Sequence, residues 1–210
     1  MAVDLSLEGL KAGRRRARSR SGFARIDWVQ GAGEFLPLRS RSVDAAVAFG
    51  NIVCFAAGDG PALLRELARV VKPKGRLLLD FASTVGAVQE FLTTAAGQRS
   101  LPRILRRPGH YLLDQVFATG FQPLAPARLA RWEFQFYPYV RAEKALRSAG
   151  FRTVDAMAVA PLAAFQPRVA AIAHREQRTW EALLRIEELS GRQPGALETG
   201  HGYVIAAVRT

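Results

Sequence analysis

"GDGPALLRELARVVKPKGRLLLDF", residues 58–81, is the stretch that decides the fold. Asp59 precedes a run in which Leu63, Leu64, Leu67, Val70 and Val71 recur at helical spacing, and Pro61 stands in the first turn, where its missing N–H costs nothing. Pro73 and Gly75 stop that helix. "RLLLDF" then follows as a short apolar run, suited to a strand buried on both faces. Just upstream, "VDAAVAF" (Val43 to Phe49) is a second run of this kind, closed by Gly50-Asn51. Before it, "ARIDWVQ" sets Ile26 and Trp28 on one side against Asp27 and Val29 on the other, a strand pattern. Strands alternating with a helix in this order argue for a parallel sheet with right-handed crossovers.

The flanks extend the pattern. At the start, Val3-Asp4-Leu5-Ser6 reads as a strand end followed by a helix start. Ser6 is the N-cap of a helix to about Ser19, weakened by Gly9 and Gly13. From Ser83 to Arg131 the pattern loosens into helix and Pro-containing loops. It tightens at "YVRAEKALRSAGF", a helix stopped by Gly150. "RTVDAMAVA" reads as a strand, Ala170 to Leu189 as one long helix, and "GYVIAAVR" as the last strand. The strands Ala2–Asp4, Asp27–Gln30, Val43–Phe49, Arg76–Phe81, Thr153–Ala158 and Tyr203–Val208 are expected in one mainly parallel sheet. No internal repeat, low-complexity tract or long linker divides the chain, so residues 1–210 are expected to form a single domain.

Composition narrows the function classes. With 210 residues, 49% of them hydrophobic, the chain can bury a sizeable core. Every apolar run is interrupted by Arg, Glu or Asp before it reaches bilayer length, so no membrane insertion is expected. The first apolar run precedes the first basic one, the reverse of a secretion signal. Cys54 stands alone, which excludes an internal disulfide, and His110, His174 and His201 are widely spaced. A cytoplasmic protein with no metal site is the expectation.

The net charge is +12, and Arg supplies 26 of the 30 basic residues. Arg14, Arg15, Arg16, Arg18 and Arg20 crowd one stretch, and Arg103, Arg106 and Arg107 another. Such clusters attract nucleic acid or anionic membrane, or form a solvated helix face. No aromatic is interleaved with the first cluster, so base stacking is not indicated there.

Four segments also fall in a telling order: "VDLS", "VQGAGEFLPLRSRSVDAAVAF", "LLRELARVVKPKGRLLLDF" and "FYPYVRAEKALRSAGF". Together they resemble the motifs of class I S-adenosylmethionine-dependent methyltransferases of the "methyltransferase type 11" sort. The resemblance is close over residues 2–81 and looser over 132–158. It implies an α/β fold: a Rossmann-like methyltransferase sheet, mainly parallel, with an antiparallel last strand. It also implies S-adenosylmethionine as cofactor. Asp4 would accept hydrogen bonds from the ribose diol, as acids do at the ends of strands in dinucleotide-binding folds. Leu5 would pack on the adenine, and the loop carrying Gly33, Glu34 and Phe35 would wrap its edge. Phe49, Gly50 and Asn51, at the end of the next strand, would border the reacting methyl.

Three departures stand beside the matches. Ala32 occupies the place of an acid that grips the adenine amino group, and Glu34 is the candidate substitute. "KPKG" replaces KPGG, putting Lys74 where a tight turn suits glycine. The family's first strand and Gly-rich loop would precede "VDLS", and no GxGxG occurs in these residues, so the resemblance implies an N-terminally truncated fold. Three explanations are open: an internal Met recorded as the start, a shortened relative that no longer binds cofactor well, or a partner or second copy that supplies the missing element through exposed sheet edges.

At the acceptor end, residues 83–139 are expected as a lid or substrate region and 161–199 as a helical insertion before the last strand. "ARWEFQFYPYV" packs Trp132, Phe134, Phe136, Tyr137 and Tyr139 together, either as an aromatic wall for a planar small molecule or as a core strand. Methyl transfer relies on positioning more than on a dedicated base, so no catalytic residue is assigned. His110 and Tyr137 are the only candidates should an oxygen need deprotonation. Cys54 is expected as a small buried hydrophobe. The expected function is methyl transfer to a small-molecule acceptor. The alternative is a catalytically silent methyltransferase-like binding or assembly protein. A nucleic-acid acceptor is a third reading, resting on the Arg clusters alone.

Overall fold

The computed structural model describes residues 1–18, 26–56, 60–93, 121–124 and 132–210, together with residues 99 and 118. Asp59, Arg20, Arg103, Arg106, Arg107 and His110 lie outside the described residues. In chain order the elements begin with β1 (Ala2–Asp4), α1 (Leu7–Arg18), β2 (Trp28–Gln30) and β3 (Val43–Ala48). Next come α2 (Ile52–Phe55), α3 (Gly60–Val70), β4 (Val71–Ala82), α4 (Thr84–Thr93), β5 (Phe121–Leu124) and β6 (Trp132–Gln135). The remainder is α5 (Tyr139–Ser148), β7 (Phe151–Val159), a 3-10 turn (Ala163–Phe165), α6 (Pro167–Ala173), α7 (Gln177–Gly191), α8 (Ala196–Thr199) and β8 (Gly202–Arg209).

A four-stranded sheet of order β3-β4-β8-β7 carries the core. β3 runs parallel to β4, while β8 lies antiparallel between β4 and β7. The strand sequences dictate which face is dry. Leu77, Leu79 and Phe81 alternate inward on β4, and Tyr203, Ile205 and Ala207 do the same on β8, all at most 1% exposed. They meet Leu63, Leu64 and Leu67 of α3 and Ala142 and Leu146 of α5 in one cluster. Each such large side chain, fully buried, contributes roughly 1.5–3 kcal/mol. The expected helix and strands therefore stand, and the last strand is antiparallel, as the resemblance implies.

Other expectations need correction. Among the described residues the strands do not form one continuous sheet. β1 and β2 pair in parallel as a separate ladder, Ala2 opposite Trp28 through Asp4 opposite Gln30. Each of these strands offers only three paired residues, and among the described residues neither shares a ladder with β3. β3 is likewise not buried on both faces. Asp44, Ala45 and Val47 are exposed, and among the described residues β3 is an edge strand paired to β4 alone. "RLLLDF" is fully buried on one face, while Leu78 and Asp80 on the other are half-buried. The single helix over Ala170–Leu189 is two, α6 and α7. Glu176 adopts an extended φ of −135°, which breaks the helix, and the His174 and Trp180 rings meet at 5.2 Å across the break.

The "KPKG" turn is resolved by a register jump. Val43 pairs with Val71, then Ala45 with Arg76, so one residue of β3 opposes four of β4. Lys74 sits at φ +63°, a left-handed conformation that costs a residue with a Cβ roughly 1–2 kcal/mol. Gly75 beside it is required, since a Cβ there would lie 2.8 Å from the Asp44 carbonyl oxygen. Lys72 answers with an ion pair to Asp44 at 2.7 Å, which holds the Asp44 carboxyl below its ordinary range.

Candidate cofactor site

The carboxyl ends of β1, β2 and β3 supply the residues singled out from sequence. At the end of β1, Asp4 is exposed, and its Oδ1 accepts the Ser6 N–H at 2.7 Å. Ser6 Oγ in turn accepts the Gly9 N–H at 3.0 Å, the N-cap bond expected of it. One carboxylate oxygen of Asp4 is thus committed to starting α1, and among the described residues the other accepts no hydrogen bond. Leu5 follows, 68% exposed. Its carbonyl accepts the Gln30 side-chain amide at 3.0 Å, and the Asp4 carbonyl accepts the Gly31 N–H at 3.1 Å. These two bonds bring the β1 and β2 ends together.

From Gly31 the chain turns, the Phe35 N–H donating to the Ala32 carbonyl at 3.2 Å. Gly33 lies flat against α3: a Cβ there would come within 2.4 Å of Leu63 Cδ1, and 3.7 Å from Ile52 Cδ1. The loop of Gly33, Glu34 and Phe35 consequently abuts the start of α2, the helix that follows Phe49, Gly50 and Asn51. Glu34 is half-buried, and Phe35 is 82% exposed. Phe49 is also exposed, and Gly50 and Asn51 turn at φ +93° and +56°.

Two supports of this region are not apparent from the motifs alone. Asp80, at the end of β4, accepts the Gly50 N–H on Oδ2 at 3.1 Å and the Asn51 N–H on Oδ1 at 2.8 Å. Consecutive N–H groups of a left-handed turn form an anion-binding concavity, and here the protein's own carboxylate fills it. A lone acid near the end of an otherwise apolar strand was the available signal. Glu66 accepts the Leu36 N–H at 2.8 Å and both Nε and Nη2 of Arg69. Arg69 also donates to the Leu36 and Leu38 carbonyls, so the pair clamps the loop after β2 onto α3. Arg69 holds the Glu66 carboxyl below its ordinary range. Their spacing of three residues on the helix, within "LLRELARVV", is the signal for them.

Several candidates are removed from solvent. Phe134, Phe136 and Tyr137 are core residues: the Phe134 and Phe136 rings lie 4.8 Å apart, and Tyr137 meets Phe81 at 5.1 Å. Burial pushes the Tyr137 phenol above its usual range, which keeps it protonated and so unavailable as a base. Cys54 is fully buried, accepts the Ala82 N–H at 3.4 Å, and has its thiol pushed up to about 12 by burial. It is a packing residue.

The described residues fit the cofactor on the ribose and adenine sides. An exposed carboxylate with one oxygen uncommitted, an exposed Leu beside it and a close-packed glycine loop suit a nucleoside. Ala32 offers no acceptor side chain, so Glu34 is left as the acid within reach of that loop.

Comparison with known proteins bears on the fold and on the first 75 residues. Residues 1–75 match the family described as "Methyltransferase domain". A demethylmenaquinone methyltransferase of Corynebacterium kroppenstedtii is 38% identical over 107 residues, covering 50% of this chain and 42% of that protein. The chain thus spans under half the length of this curated relative. Among solved structures, a SAM-dependent methyltransferase of Thermotoga maritima, described as a possible histamine N-methyltransferase, superposes with a TM-score of 0.53 at 16% identity, over 99% of this chain and 72% of that one. The [4+2]-cyclase SpnF superposes equally well, with a TM-score of 0.53 at 18% identity, over 99% of this chain and 64% of its own. The fold is the one these S-adenosylmethionine-dependent methyltransferases share, and residues 1–75 match the methyltransferase domain. The cyclase shows that this fold alone does not fix the chemistry.

Proposed function

We propose that this chain forms the cofactor-binding part of an S-adenosylmethionine-dependent methyltransferase whose acceptor is a small quinone-type molecule. The observation that carries the proposal is the 38% identity to a demethylmenaquinone methyltransferase. When bound, the cofactor supplies a methyl group activated on a sulfonium, and the protein's part is orientation. The uncommitted oxygen of Asp4 would accept a ribose hydroxyl, and Leu5 would lie against the adenine. Gly33, Glu34 and Phe35 would wrap its edge. Phe49, Gly50 and Asn51, fixed by Asp80, would line the approach of the acceptor, with the exposed Phe49 ring offering a planar molecule a stacking surface.

A second reading is favoured by one observation. The β1–β2 pair shares no ladder with the four-stranded sheet among the described residues, so Asp4 and Leu5 are anchored separately from Phe49–Asn51. A site held this loosely suits a catalytically silent binding or assembly protein. Calorimetric titration with S-adenosylmethionine decides how far the cofactor proposal holds. The 210-residue chain is expected to bind in the millimolar range or weaker, since loose anchoring and the missing adenine acceptor at Ala32 together offset several kcal/mol, about tenfold per 1.4 kcal/mol. Clear micromolar binding would overturn that expectation. In a chain extended upstream by a Gly-rich segment, Asp4→Ala is expected to weaken binding about ten- to hundredfold. An unchanged affinity there would reduce Asp4 to a helix-capping acid. Binding by the extended chain without methyl transfer to a reduced naphthoquinone would select the second reading.

A further inference from the structure

A trough lies between α3 and α5, on none of the residues assigned to the cofactor. Its apolar lining is small, Pro61, Ala145 and Ala149, and the rest of the lining is basic or polar: Arg65 from α3, and Arg141, Lys144 and Ser148 from α5. The volume is about 340 Å³, at the small end of the range for small-molecule sites. Helical spacing creates it. Pro61 and Arg65 stand four apart, and Arg141, Lys144, Ala145 and Ser148 fall on one stripe of α5. Below them Leu63, Leu64, Ala142 and Leu146 fill the core. In the next layer outward the facing residues are Pro and Ala, so the space stays open.

The charge in this trough is one-sided. No lining residue is acidic. Among the described residues Arg65 and Lys144 join no ion pair, and the acid on α5, Glu143, faces Arg147 at 3.7 Å. Arg141 is oriented by lying over the Tyr137 ring at 5.5 Å. The basic face of α1 differs in kind. Lys11, Arg14, Arg15 and Arg18 radiate from one convex helix, and Lys11 already pairs with Glu8. In the trough, cations from two helices line one concavity, an arrangement that suits a multidentate oxyanion.

We propose that the trough between α3 and α5 is an anion site for a phosphate-bearing ligand, with Arg65, Arg141 and Lys144 as charged donors and Ser148 as a hydroxyl donor. The inference does not rest on methyl transfer. It is tested by titrating inorganic pyrophosphate into the full chain at constant ionic strength, and in a second arm by sedimentation with vesicles of phosphatidylcholine and phosphatidic acid. The paired substitutions Arg65→Glu and Lys144→Glu are compared with Arg14→Glu and Arg15→Glu, which remove the same charge from α1. The trough variant is expected to weaken pyrophosphate binding by at least about tenfold, and the α1 variant by under about twofold. Vesicle binding lost in the trough variant alone would identify a lipid headgroup as the source of the phosphate. Pyrophosphate binding without vesicle binding would identify a soluble ligand. No pyrophosphate binding above a sodium chloride control would overturn the site, and so would equal losses in both variants, which would mean diffuse charge. Circular dichroism monitors folding, and if charge reversal unfolds the chain, Arg65→Ala with Lys144→Ala decides by the same comparison.

Discussion

The four-stranded sheet and the β1–β2 pair differ in what holds them. β4 is paired along both edges, to β3 and β8, and its inward residues are buried against two helices. The β1–β2 pair has three residues a strand, none of them fully buried, and is tied on by a loop clamped through Glu66 and Arg69. The residues proposed to hold the cofactor are divided between these regions. Asp4 and Leu5 belong to the lightly held pair, while Gly50 and Asn51, next to Phe49, are fixed by Asp80 to the core sheet. A site can therefore be half rigid and half adaptable within one fold.

The comparison is broken most severely by cutting the core. Phe81→Ala removes a fully buried ring that touches Tyr137 and Tyr203. It is expected to cost about 3–5 kcal/mol in urea unfolding, whereas Val3→Ala in the pair should cost under about 1.5 kcal/mol. Similar losses at both positions would mean that the pair is as firmly built as the sheet.

Asp80→Ala probes the junction. It leaves the Gly50 and Asn51 N–H groups without their acceptor in a left-handed turn, and a loss of about 1–3 kcal/mol is expected. Faster amide exchange at Gly50 and Asn51, with β8 unaffected, is the accompanying signature. Unchanged exchange there would show that the turn holds without Asp80.

Acid should loosen the clamp on the pair. The Glu66 carboxyl lies below its ordinary value of 4.5 in the folded chain, chiefly through its hydrogen bonds with Arg69. Its contribution is therefore complete above that ordinary value and is lost as pH falls through the depressed one. Glu66→Gln is expected to flatten the stability profile on the acid side, measured by urea unfolding from about pH 6 to about pH 3. An unaltered profile would place the acid sensitivity elsewhere.

The smallest change expected is a gain. Lys74→Gly relieves a residue at φ +63° and should stabilise by about 0.5–1 kcal/mol after the added flexibility of the unfolded chain is counted. The thermal midpoint would rise slightly, provided the loss of the exposed Lys74 charge matters little.

Much of this protein is legible in order. Apolar spacing in Leu63–Val70 gave a helix and the inward alternation of Leu77, Leu79 and Phe81 a strand, because both periods are set by backbone geometry. Turn residues such as Gly150, at φ +87°, marked element ends through their own conformational preference. The site residues were legible through the motif resemblance, and their roles remain proposals. The division of the strands among three sheets was not legible, since hydrogen-bond partners along an edge belong to no single segment.

Most local elements and the parallel order of the early strands were thus determined by the sequence itself, through residue period and chain order, while the antiparallel last strand was legible only through the motif resemblance. Only the tertiary structure decided that Val47 of β3 would be exposed, that Phe134, Phe136 and Tyr137 would join the core, and that Asp80 would hold the Gly50–Asn51 turn. It also decided that three cations from two helices would face one trough. Each of these depends on which surfaces meet, and residues far apart in the chain meet only when packing brings their elements together.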